Sequence, residues 1–222
     1  MLTLSFVTGT EPGKWFGRFR ERTRHGGLEA TESDDALGVL IDGRVQLALV
    51  RLPDQRLDPE EFHVVELYRE GKGVALPGDS ELTLIEGALT PADLEDQIIN
   101  YRPAAHGGVD PAAVREALQI VAANVGVAIA PKPLLKVLSK KLVVPRQLQA
   151  DDVPDTHIAL VWRRTQDNDA IQDFVGIAKG RTVNSSRQVA PKRSAREKTL
   201  AKQARRKAAA PARRATPRRR RK

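Results

Sequence analysis

"VQLALVRLP", residues 45–53, decides the fold. From Leu47 to Val50 no polar residue interrupts it, and so short an apolar run describes a strand covered on both faces, the kind found in a parallel sheet. A parallel sheet needs crossover helices, and the flanking sequence supplies them. Immediately upstream, "SDDALGVLIDG" (33–43) places Ser33 or Asp34 as the cap of a helix carrying Ala36, Leu37, Leu40 and Ile41, with Gly43 just past its end. Before that lies a short strand at 28–32, and before it "PGKWFGRFRERTR" (12–24), an amphipathic helix with Trp15, Phe16 and Phe19 together and the arginines mainly elsewhere. "LTLSFV" (2–7) is the first strand, closed by "TGT". Strand, helix, strand, helix, strand in about fifty residues is an α/β unit with right-handed crossovers.

Downstream, strands are expected at 64–69 and 73–76, after which the pattern restarts. "LTPADLEDQIINYRP" (89–103) reads as a helical turn and a strand, "DPAAVREALQIVAANVG" (110–126) as a capped helix, and "VAIAP" (127–131) as a strand. "KPLLKVLSKKL" (132–142) reads as a helix, "LVVP" (142–145) and "HIALVWRR" (157–164) as strands, and "NDAIQDFVGIAKG" (168–180) as a helix with Ile171, Phe174, Val175 and Ala178 on one face. Two α/β lobes are expected: lobe one over 1–77 and 157–180, lobe two over 78–156, with crossings near 76–80 and 151–156. No internal repeat is visible.

The net charge of +9 hides a division. Residues 184–222 hold sixteen Lys or Arg against the single acid Glu197, so this segment carries +15 and residues 1–183 carry −6. Almost nothing in it is apolar enough to bury, and the composition predicts a disordered basic tail over 181–222. Lys192, Arg193, Arg205, Arg206, Lys207, Arg213, Arg214, Arg218, Arg219, Arg220, Arg221 and Lys222 are its candidate nucleic-acid contacts. A flexible polycation binds phosphates by releasing counterions, without reading sequence, and loses affinity steeply with salt. The tail has no aromatic residue for stacking on bases and no apolar anchor for a membrane, so nucleic acid, DNA before RNA, is the expected partner and a membrane is not. An acidic protein is the competing partner.

Other chemistries find little support. Without cysteine there is neither a disulfide framework nor a thiolate metal site. His25, His63, His106 and His157 show no metal-ligand spacing, so no metal and no cofactor is expected. "GTEPGKW" (9–15) has three residues where a phosphate-binding loop has four, and Trp15 where Ser or Thr must hold magnesium. The acid pairs Asp34 with Asp35 and Asp151 with Asp152 sit at turns or helix starts, where acids are ordinary, and no nucleophile is matched with a base. An enzyme is therefore not expected. "MLTLSFV" lacks the basic start and long apolar stretch of a signal peptide, and no window nears the roughly 18 apolar residues of a membrane span, which reads as cytoplasmic, with nucleoid association following from the tail.

Several phrases together, "RFRER" (18–22), "LIDGRVQLALVRLP" (40–53), "VVELYRE" (64–70), "LTPADLEDQ" (89–97), "IVAANVGVAIAPKPL" (120–134) and "HIALVWRR" (157–164), resemble the effector-binding, or substrate-binding, domain of LysR-type transcriptional regulators. The resemblance covers residues 1 to about 180, and "DFVGIAKGRTVNSSR" (173–187) before a basic tail looks like a smaller actinobacterial group of free-standing domains of this type. It implies a two-lobed α/β fold like type 2 periplasmic binding proteins. It also implies self-association as a homodimer or with a LysR-type partner, transcription regulation, and a small, anionic effector held between lobes. Two departures are expected: Met1 sits at the first effector-domain strand, with no helix-turn-helix before it, and the stretch 101–114 is short, so that a helix of lobe two is shortened or missing. By position, Thr8, Gly9, Thr10, Arg51, Pro53, Tyr101, Arg102, Asn124 and Gly126 are the candidate ligand-binding residues. Each has an ordinary alternative: Thr8 or Thr10 as a helix cap, Gly126 as a helix terminator, Arg51 and Arg102 as solvated charges. A ligand-less protein-interaction adaptor and an RNA- or ribosome-associated protein are the alternative functions.

Overall fold

A computed structural model describes residues 1–180; the basic tail expected over 181–222 lies outside the described residues. Lobe one is built on a five-stranded sheet ordered β2-β1-β3-β9-β4. Its strands are β1 (Leu2–Val7), β2 (Leu28–Ser33), β3 (Leu47–Leu52), β4 (Phe62–Arg69) and β9 (His157–Arg163). β1 runs parallel to β2 and β3, while β9 enters antiparallel between β3 and β4. The sheet is therefore mixed, although β3 is as buried as its sequence predicts, with Leu47 to Val50 all shielded. Around it lie α1 (Gly13–Arg22), α2 (Ala36–Ile41) and α5 (Asp169–Ala178). Phe16 and Phe19 of α1 pack on Phe174 of α5 with ring centroids 6.1 and 5.7 Å apart, and fully burying such rings stabilises by about 2 to 3 kcal/mol each.

Lobe two carries a four-stranded sheet ordered β6-β7-β5-β8, made of β5 (Lys72–Pro77), β6 (Ile99–Tyr101), β7 (Val127–Pro131) and β8 (Val143–Gln147). Alternation sorts its side chains. Ala75, Ala128 and Ala130 face α3 (Pro111–Ala122) and α4 (Lys132–Leu138), whereas Val74, Leu76, Val127 and Ile129 face Leu89, Leu94, Leu148 and Val153. Small residues on the helix side let the two helices approach the sheet closely. Because β5 pairs with β7 and β8, it belongs to lobe two, and the first crossing falls at residues 70–71 rather than 76–80. Between β5 and β6 the chain makes only two single-turn 3₁₀ helices, Glu81–Leu84 and Pro91–Leu94, and residues 102–110 reach α3 without a helix, as the shortness of that stretch predicts.

Among the described residues no helix is long and apolar enough to cross a membrane, and no cluster of His, Cys, Asp or Glu could hold a metal.

Candidate functional site

Topology brings the charged groups together before any side chain is considered. β1, β2 and β3 are parallel, β4 runs with them and β9 against them, so Thr8, Asp34, Arg51, Glu70 and Thr156 all emerge at one end of the first sheet. In the second sheet the same logic puts Tyr101, Pro131, Gly71 and Gln147 at one end. The cleft lies between these two ends, the usual place for ligands in open α/β sheets.

At its centre the groups already satisfy one another. Arg51, last but one in β3, is a buried side chain rather than a solvated charge: it donates from Nε to Glu70 Oε2 at 2.6 Å, and from Nη2 to Glu70 Oε1 and the Thr8 carbonyl, both at 3.1 Å. Glu70 also accepts from Thr156 Oγ1 at 3.0 Å, and its N–H donates to the Thr156 carbonyl at 2.9 Å. Glu70 and Thr156 sit on the two crossings between lobes, so one buried ion pair ties both crossings to the end of β1. Gly9, with φ of +93°, lies against α4 so closely that a Cβ would stand 2.8 Å from Leu134 Cα. Pro53 packs on Gly107 with similar closeness.

A second ionic contact bridges the lobes at the cleft's mouth. Asp34 accepts from Thr8 Oγ1 at 2.7 Å, while Arg115 of α3 donates to both its oxygens at 2.5 and 2.8 Å. The Arg115 guanidinium holds the Asp34 carboxyl below the ordinary carboxylate range, with the Thr8 hydroxyl adding to it and desolvation opposing. Asp34 therefore does not cap α2. Asp35 does, accepting from Gly38 N at 2.9 Å, and Arg56 braces Asp35 and Asp54 beside it.

The threonines are not helix caps. Thr8 is spent on Asp34 and Thr10 Oγ1 donates to the Val7 carbonyl at 2.8 Å, while α1 begins at Pro12 without a side-chain cap. Tyr101, its phenol pushed up by burial, accepts from the Asp110 N–H at 3.0 Å, and Asp110 caps α3. Arg102 turns away to Asp152 at 2.6 Å. Asn124 and Gly126 precede β7 and stand at the far end of the second sheet from Tyr101, where both hold left-handed backbone, φ +64° and +61°. Gly126 has a structural reason to be glycine, because a Cβ would fall on the Ile98 carbonyl. The structure thus gathers Thr8, Gly9, Thr10, Arg51, Pro53 and Tyr101 around the cleft and leaves Arg102, Asn124 and Gly126 out of it. Asp34, Glu70, Arg115 and Thr156 join the site without having been singled out as ligand contacts.

The family model described as LysR substrate binding domain matches residues 13–182. Solved structures agree in fold. A BenM effector-binding-domain variant superposes with a TM-score of 0.59 at 17% identity, over 82% of this chain and 96% of that one. A cysteine mutant of OxyR from Corynebacterium glutamicum gives 0.58 at 18%, over 80% of this chain and 63% of that one, so the chain spans less than two thirds of that regulator's length. Full-length CbnR in complex with its target DNA gives 0.59 at 14%, over 83% and 71%. No curated protein matches in sequence.

Proposed function

We propose a regulatory role in transcription for this chain, which belongs to the family of LysR substrate binding domains: its two lobes take a small anionic effector between them, and its tail holds nucleic acid. One observation carries the reading, the Asp34 carboxylate received by the Thr8 hydroxyl of lobe one and the Arg115 guanidinium of lobe two. Donors from both lobes converge on a carboxylate the protein itself supplies, and a hydroxyl with a forked guanidinium serves an external carboxylate equally well. An effector that exchanges with Asp34 frees the loop before α2 and resets the contact between lobes. That differential contact is what a ligand needs in order to shift a conformational equilibrium. The polar groups here are spent on one another, an arrangement that suits the exchange of one carboxylate for another and hence a binding role.

The tail residues, Lys192 through Lys222, supply affinity without sequence reading, and a homodimer or a LysR-type partner supplies specificity. The complex of CbnR with its target DNA makes DNA the first nucleic acid to test. Mobility of random duplex DNA with the full chain, and with a chain ending at Gly180, tests the division of labour. Binding by the full chain alone, abolished by salt, supports it. Equal binding by both sinks it, and a preference for RNA moves the role to RNA or the ribosome.

The buried Arg51–Glu70 pair favours the second reading, an adaptor without a ligand, because it closes the centre of the cleft. A panel of small carboxylates that never raises the melting temperature selects the adaptor, since a ligand that binds only the folded state must stabilise it.

A further inference from the structure

Beside the closed centre, on the flank where the chain crosses between lobes, lies a cavity of about 400 Å³ lined by Gly9, Glu11 and Tyr68 of one lobe and Gly71, Lys132, Pro133, Lys136 and Gln147 of the other. Its chemistry is the reverse of the centre's. In the centre, every carboxylate and guanidinium named above has its partner. In this cavity, among the described residues, the Glu11 carboxylate, the Tyr68 hydroxyl, the Lys132 and Lys136 ammonium groups and the Gln147 amide make no hydrogen bond or ion pair. Lys132 and Lys136 are four apart on α4 and so share one face. Glu11 comes from the opposite lobe, on the loop between β1 and α1. The Tyr68 ring stands by Trp15, centroids 6.5 Å apart, and gives the cavity an aromatic side. The Tyr68 phenol, neutral at neutral pH at its ordinary value and pushed further up by burial, is available as a donor.

We infer that this cavity is a binding site for a small dicarboxylic amino acid: two carboxylates for Lys132 and Lys136, and an ammonium for Glu11. The charges decide the class. Two lysines and one glutamate line one space, so the complementary ligand carries two anions and one cation, with Gln147 and Tyr68 left to fix orientation by hydrogen bonds. A cavity of this size accepts a compact ligand, near the lower end of the range for small-molecule sites. Because its walls come from both lobes, occupancy acts on the same closure as the Asp34 contact, and the inference rests on the effector-binding reading of the domain.

Calorimetric titration of the full chain with L-glutamate and with glutarate, which lacks the ammonium, tests it. Glutamate binds saturably and glutarate about tenfold more weakly, the worth of one charge-assisted hydrogen bond. Lys132→Gln and Lys136→Ala each weaken glutamate by about tenfold, and Glu11→Gln removes the preference for glutamate over glutarate. All three positions are at the surface or only partly covered, so the variants keep the fold, and unchanged thermal melts check this. Absence of saturable binding at about millimolar glutamate, equal affinity for the two probes, or indifference to the lysine changes overturns the inference. Thr8→Val distinguishes the two sites: it lies at the Asp34 contact, so a carboxylate response lost there and kept in the lysine variants condemns this cavity without touching the central reading.

Discussion

Replacing Glu70 by Ala should be the most destabilising single change near the cleft. The side chains of Arg51 and Glu70 are 5% and 1% exposed, so neither charge has water to fall back on. Glu70 accepts three hydrogen bonds, two from Arg51 and one from Thr156; its loss leaves the guanidinium buried with the Thr8 carbonyl alone. Breaking one side of a buried pair costs about 3 to 5 kcal/mol, most of it the penalty of the stranded charge. For a unit of this size that is a fall in melting temperature of roughly 6 to 20 °C. Removing both charges is a different matter, because the attraction of a buried pair barely exceeds its desolvation. Arg51→Met with Glu70→Leu should lie within about 1 kcal/mol of the parent or above it. Urea unfolding of the parent, the Glu70→Leu and Arg51→Met single variants and the double variant closes the cycle and gives the coupling directly, with Glu70→Ala measured beside it. A Glu70→Ala cost under about 1 kcal/mol, or a double variant as damaged as the sum of the singles, refutes the claim that this pair rivets the crossings.

Gly126→Ala meets both a left-handed backbone and the Ile98 carbonyl, and should cost at least about 2 kcal/mol in urea, whereas Asn124→Gly, at a φ glycine accepts freely, should move stability by less than about 1 kcal/mol. If the two substitutions behave alike, the close approach at Gly126 is not real. Asp34 titrates below its unfolded value, so the stability it contributes is present above the ordinary carboxylate pKa of about 3.9 and is lost as pH falls through its folded value. The difference in urea midpoint between parent and Asp34→Asn should hold steady at neutral pH and vanish in acid; a difference that grows in acid contradicts the assignment.

The order and span of nearly every element follow from apolar runs, because covered strands such as β3 and β7 and the stripes of α3 and α5 depend on local periodicity. Sheet membership does not. Nothing in "GKGVALP" (71–77) says whether it pairs with β3 or β7, since pairing is set by distant strands, and β5 accordingly joins the second sheet. The cap of α2 also slips by one position, because Ser33, Asp34 and Asp35 are all competent and only Asp35 reaches Gly38 N. In the site, loop positions at the ends of parallel strands are legible, and Thr8 and Arg51 fall where that rule puts them. What they bind is not. Glu70, which ends "VVELYRE", and Arg115, within "DPAAVREALQIVAANVG", are open to no such reading, because a partner 19 or 81 residues away leaves no local signal.

The exchange of an effector carboxylate for Asp34 is tested most directly by measuring the affinity of one stabilising carboxylate for the parent, Asp34→Asn and Arg115→Gln. If the ligand competes with Asp34, the asparagine variant, a neutral and weaker competitor, binds more tightly than the parent, and the Arg115 variant binds more weakly. Unchanged affinity in both variants, or no carboxylate bound even when Asp34 is neutralised, contradicts the account and leaves the closed cleft as a protein-interaction fold.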